Sequence, residues 1–175
     1  MNLCRMGFPC SCVFLLTCLI GAAAPDSPMT ISSPAFDQGK PIPEKNAKAN
    51  ANLSPELDLH DIPANAKSLV LVVDDPDAPS GTWTHWLAWN IPPGATSIPE
   101  GKLPPGARQG KNSFGHVRYD GPAPPSGTHR YFFRLYALNT TVSLPTGASL
   151  SALAKAMDGH IVGTAELFGT YQTAP

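Results

Sequence analysis

Cysteine is missing from all but the first 18 residues: Cys4, Cys10, Cys12 and Cys18 are the only four in a chain of 175. A domain downstream of them has no disulfide, no thiol nucleophile and no zinc–thiolate site of its own. Charge is scarce as well, at 14% of residues with a formal net charge of −1. That excludes a nucleic-acid binder held by phosphate neutralisation and a basic protein of membrane surfaces. The one long apolar run, Val13 to Ala24, is too short for a comfortable transmembrane helix. No HExxH, GxSxG or GxGxxG occurs, and Gly106–Asn112 (GARQGKN) is too short a phosphate loop, with Asn112 where Ser or Thr is needed.

What is abundant is proline and glycine, 20 and 15 residues. They punctuate compact apolar runs that bring the hydrophobic content to 42%, which reads as a folded, loop-rich, mainly β domain. The N-terminus reads as an address. Arg5 gives a positive start, the apolar run follows, and Ala22-Ala23-Ala24 offers small residues for cleavage. Pro25 disfavours a cut after Ala24, so residues 1–23 are expected to leave as a signal peptide and 24–175 to form a single exported domain. Losing Arg5 from the 12 cations then takes the net charge from −1 to −2. A rival reading takes Leu15-Leu16-Thr17-Cys18 as a lipobox, with Cys18 acylated, although Thr17 fits poorly.

Downstream, Pro25 to about Asn52 is polar and broken by prolines, with Ile31 and Phe36 as anchors of a short strand and an irregular arm. Ser68–Asp74 (SLVLVVD) is continuous and β-branched, as a strand buried on both faces should be. Thr84–Ile91 and His129–Leu138 read as further strands, the latter placing Tyr131, Phe133, Leu135 and Ala137 on one face and Arg130, Phe132, Arg134 and Tyr136 on the other. Leu150, Leu153, Ala154 and Met157 keep helical spacing behind Ser149 and ahead of Gly159, predicting one short helix. His160–Tyr171 reads as a last strand.

The unusual residues gather in two rigid loops. Asp74-Asp75-Pro76-Asp77-Ala78-Pro79 precedes Trp83-Thr84-His85-Trp86, and Gly121-Pro122-Ala123-Pro124-Pro125-Ser126-Gly127 runs into His129-Arg130-Tyr131. Each loop delivers a histidine to the start of a strand. If both loops share one end of a sheet, Asp75, Asp77, His85, His129 and Tyr131 converge. Imidazoles, a phenol and glycine N–H groups are donors for an anion such as phosphate or carboxylate. The aspartates are then expected to orient the histidines or keep them protonated by raising their pKa.

DPDAP followed by THW, then GPAPPSGTHRYFF, then GHIVGTAELFGTY, in this order over about residues 31–171, resembles the phosphatidylethanolamine-binding protein family, and more closely its prokaryotic-type, Raf-kinase-inhibitor-like branch. The resemblance implies a large antiparallel sheet packed on a smaller one, with few peripheral short helices and a small anion pocket at one end. By position it assigns that pocket Asp75, Pro79, His85, Gly121, Pro125, His129 and Tyr131, with Asp77 and Trp83 secondary. The chain departs from the family pattern at Leu59, where a tryptophan is usual, and at Ala123, where Cys or Gly is common.

Other residues have plainer readings. His60 and His116 are expected on surface loops, His160 as a structural hydrogen-bonder, and Arg130 and Arg134 in ion pairs or snorkelling. The expected function is that of an exported, non-enzymatic binding protein, without cofactor, for a small anion or phosphorylated head group. The resemblance also suggests an inhibitor or regulator of a protein partner, a hydrolase or kinase. A metal-dependent hydrolase using Asp75, Asp77, His85 and His129 is the remote alternative.

Overall fold

The computed structural model describes residues 28–173; the signal-peptide boundary and Cys18 lie outside them. Eight strands form two antiparallel sheets. β1 (Thr30–Ser32), β2 (Leu57–His60) and β5 (Ser97–Ile98) make the smaller, in the order β1-β2-β5. The larger runs β6-β4-β3-β7-β8, from β3 (Ser68–Asp75), β4 (Trp83–Ile91), β6 (Arg108–Gln109), β7 (Thr128–Leu138) and β8 (Ile161–Gln172). A 3-10 turn at Glu44–Asn46 and the helix α1 (Leu150–Met157) are the helical elements among the described residues. No helix there is long and apolar enough to cross a membrane.

β3 is central and buried along its whole length, as its apolar run requires. Leu69, Leu71 and Val73 face the smaller sheet and join Ile31, Leu57, Leu59, Phe133 and Leu135 in the main core. Val70 and Val72 face the other way, onto Leu87, Trp89, Leu153 and Met157 under α1. Burying each of these branched side chains contributes roughly 1.5–3 kcal/mol. The helix falls where its spacing predicts, and Ser149 caps it by accepting from the Ala152 N–H at 3.3 Å. Strand ends differ from the expected ones by one residue. β2, β5 and β6 are too short, or too interrupted by proline, to stand out in the sequence.

One register shift matters for function. Val73 pairs with Trp86 but Asp74 pairs with Thr84, so His85 is the extra residue of a β-bulge. Alternation would have sent His85 with Leu87 to the α1 side. The bulge instead leaves consecutive residues His85 and Trp86 both facing the main-core side, where Tyr131 lies.

The proline-rich arm is irregular, as expected, but firmly docked. Its Ile42 N–H donates to the Thr170 carbonyl at 2.8 Å, and Lys48 N–H to Pro122 at 3.0 Å. The Asn46 carbonyl accepts from the Tyr119 hydroxyl at 3.0 Å, and it lies 1.9 Å from where a Cβ on Gly121 would stand. Gly121→Ala therefore must push the arm off the loop. It should cost about 3 kcal/mol, the upper end for overpacking, read as a shifted urea midpoint; an unchanged midpoint would contradict this packing.

Candidate functional site

Strand alternation sorts the three aspartates of the first loop. Asp75 lies on the main-core face, where its Oδ2 accepts from His129 Nδ1 at 2.7 Å and its Oδ1 from the Asp77 N–H at 2.8 Å. Asp75 is 3% exposed and His129 7%, so this hydrogen bond is largely buried. Asp74 lies on the opposite face and receives Arg134 Nε at 3.0 Å. Asp77 turns outward to clamp Arg130 through both carboxylate oxygens, at 2.7 and 2.9 Å, and this contact holds its carboxyl down at about 2. Both arginines thus form the ion pairs expected of them, Arg134 also meeting Glu166.

His85 is 2% exposed. Its Nδ1 lies 2.7 Å from the Asp120 carbonyl oxygen, which can only accept, so Nδ1 carries the hydrogen. Tyr131 and Phe114 pack edge-on against the ring, with centroids 5.1 and 5.4 Å away. Trp83 packs on Phe114 in turn at 5.4 Å. Burial lowers the His85 pKa below its ordinary 6.5, outweighing the Asp120 carbonyl and the Asp75 charge that pull it upward. The expectation that nearby aspartates raise it is corrected here: desolvation dominates and the neutral imidazole is favoured.

These groups border a cavity of about 200 Å³. Asp75, Pro79, Trp83, His85 and Pro125 line it as anticipated, and Ala78, Ser80, Phe114 and Ala123 complete the wall. Four of the expected residues are not in this lining. His129 stands behind Asp75, holding it. Tyr131 stands behind His85, with its hydroxyl accepting from the Ala123 N–H at 3.3 Å, and burial raises its pKa. Gly121 has its N–H donated to Asn52 Oδ1 at 2.8 Å, so it serves the loop rather than a ligand. Asp77 lies outside the wall, committed to Arg130. Among the described residues no three His, Asp or Glu side chains are grouped to hold a metal.

Asp120 had no signal in the sequence, yet it organises the second loop. It is wholly buried and gathers Asn112 Nδ2 at 2.8 Å, His116 Nδ1 at 2.8 Å and Asn52 Nδ2 at 3.3 Å. Burial alone would raise its carboxyl; these donors together hold it below the ordinary 3.8. His116, expected as a plain surface residue, is exposed but tied to this carboxylate. A lone aspartate before Gly-Pro reads as a turn, and its partners lie up to 68 residues away.

The buried neutral His85 predicts a pH dependence of stability. Below 6.5 the unfolded chain binds a proton at this position that the folded chain resists, so unfolding becomes easier as pH falls from about 6.5. His85→Gln should remove that component. Urea midpoints of the two proteins between pH 7.5 and 5.5 test this; parallel profiles would show that His85 is not the group responsible.

The sequence profile of the family described as phosphatidylethanolamine-binding protein matches residues 32–172. A UPF0098 protein of Methanothermobacter thermautotrophicus is 48% identical over 149 residues, covering 82% of this chain and 99% of that protein. A counterpart in Chlamydia trachomatis is 44% identical with the same coverage. Among crystal structures, a phosphatidylethanolamine-binding protein homologue of C. trachomatis superposes with a TM-score of 0.80 at 42% identity, over 84% of this chain and 99% of that one. Escherichia coli YbcL, described as a member of the mammalian family, gives 0.79 at 29%, over 85% and 100%. Matched over most of its length in sequence and in fold, this chain belongs to the phosphatidylethanolamine-binding protein family.

Proposed function

We propose that the protein is an exported binding protein whose 200 Å³ pocket takes a small oxyacid head group, phosphate-like or carboxylate, together with a proton. Family membership supports binding rather than catalysis. The observation that carries the finer reading is the pair of ring nitrogens at the wall. His85 has Nδ1–H committed to Asp120, which leaves Nε2 to meet a ligand, and neutral Nε2 accepts. The Trp83 indole N–H is buried without a partner and can only donate. An acceptor on one residue of the wall and an unpaired donor on another suit a protonated acid, whose O–H would meet His85 and whose second oxygen would meet Trp83 once the indole N–H is uncovered.

Asp75 in the wall supports the same conclusion. A fully ionised guest would face its carboxylate, whereas a guest that brings a proton, or that drives one onto His85, reduces the repulsion. Binding and proton uptake are then linked. Inorganic phosphate and phosphorylethanolamine should give saturable shifts of the His85 ring resonances, with affinity rising as pH falls from 8 to 6. His85→Ala should weaken phosphate at least tenfold. Absence of shifts at millimolar phosphate would overturn the pocket assignment and favour the family's other expectation, a protein partner.

Export rests on the leader pattern of residues 1–23. Expressed in full, the chain should be recovered outside the cytoplasm with its N-terminus at Ala24. Palmitate labelling abolished by Cys18→Ala would establish the lipidated form instead, and an intact, unlabelled cytoplasmic chain would refute both.

A further inference from the structure

The reverse face of the large sheet carries a second concavity, and it differs from the first in size and chemistry. It occupies about 590 Å³ between α1 and the sheet, against about 200 Å³ for the pocket around His85. Val72, Asp74, Arg134 and Tyr136 of β3 and β7 contribute one side, and Leu150, Ala154 and Met157 of α1 the other. Ile161 closes one end. Four large apolar side chains are exposed among the described residues, and two of them, Leu150 at 38% and Ile161 at 45%, border this cleft. Apolar clefts of this volume suit small organic molecules.

The cleft also contains an unmet polar demand. Asp74 is 8% exposed; its Oδ2 is held by Arg134, but Oδ1 is sealed from solvent without any hydrogen-bond donor. Such an orphan acceptor carries its full desolvation penalty with nothing to offset it. Arg134 is shared with Glu166, so one guanidinium answers two carboxylates and a unit of negative charge stays uncompensated there. Lys155 and Asp158, also lining the cleft, offset each other in charge. Burial raises the Asp74 carboxyl against the pull of Arg134, consistent with a carboxylate short of positive partners.

We infer that this cleft is a binding site for small amphipathic amines, an ammonium engaging Asp74 and an apolar body covering Leu150, Met157 and Ile161. A primary ammonium brings the missing donor and the missing charge together. Because Asp74 is held by a single hydrogen bond, from Arg134 Nε, the carboxylate can turn to bring Oδ1 into the cleft at the cost of no more than that one contact. The inference does not depend on the anion reading of the His85 pocket, which lies on the other face.

The test is a titration of the purified protein with 2-phenylethylamine, 2-phenylethanol and 3-phenylpropionate, followed by two-dimensional NMR. The amine should shift resonances of Tyr136, Leu150 and Ile161 and bind at least tenfold more tightly than the alcohol or the acid. Asp74→Asn should weaken it about tenfold. Because that variant also disturbs Arg134, Ala154→Trp provides the second arm: residue 154 is exposed on α1, and an indole there fills the cleft without entering the core. It should abolish amine binding and leave the His85 resonances, and their response to phosphate, unchanged. Equal binding of amine and acid, amine shifts centred on His85, or full binding by a folded Ala154→Trp protein would each overturn the inference.

Discussion

Asp74 and Asp75 end a strand buried along its whole length, and successive residues of its regular pleat point to opposite faces. Each carboxylate therefore enters a different apolar environment and must find its own donor there, because a buried carboxylate left without a partner costs several kcal/mol. Asp75 takes His129 and Asp74 takes Arg134, both from β7, the strand that pairs with β3. That pairing fixes the register of the two strands at the end where the loops emerge, since slipping by one residue would strand both charges. The first pocket and the reverse cleft are the two sides of this constraint.

The bulge in β4 follows from the same arrangement. With His129 occupied by Asp75, a second imidazole can reach the pocket only if the neighbouring strand departs from alternation, and the extra residue at His85 supplies that departure. Its ring is then fixed by a main-chain carbonyl rather than by a carboxylate. The two histidines that open β7 and lie near the start of β4 look equivalent in sequence, each following a proline-rich loop. Their surroundings differ: one is hydrogen-bonded to a carboxylate and is not in the cavity lining, the other is a desolvated base within it.

The long strands, the helix and most of the pocket wall were legible because their signals are local. Apolar runs, helical spacing and two proline-stiffened loops mark where the chain must be extended, coiled or rigid. The family resemblance named Asp75, Pro79, His85 and Pro125 by position. What was not legible depends on distant partners. Asp77 and Asp75 look alike in DPDAP, and only the register with β7 gives one of them Arg130 and the other His129. Gly121 reads as a donor until Asn52 and Asn46 are brought against it from the arm. Asp120 is silent because one donor, Asn52, lies 68 residues away, and nothing in the sequence marks Asn112 or His116 as the others.

The sign of the His85 shift has the largest consequence for binding. A histidine beside an aspartate is ordinarily expected to gain a proton, but the outcome depends on which is larger, attraction to the charge or loss of hydration. Here Phe114 and Tyr131 cover the ring, Asp75 is already engaged by His129, and the close oxygens are the Asp120 and Gly121 carbonyls, with only partial charges. Desolvation therefore wins. Before a ligand arrives the wall presents one acceptor, one indole donor and a shielded carboxylate, not a preformed positive site. If the pocket takes an oxyacid as proposed, selectivity would come less from charge than from protonation: phosphate monoesters, which keep a hydrogen near neutral pH, would complete its hydrogen bonds more readily than strong-acid anions such as sulfate, and carboxylates would do so only as pH falls.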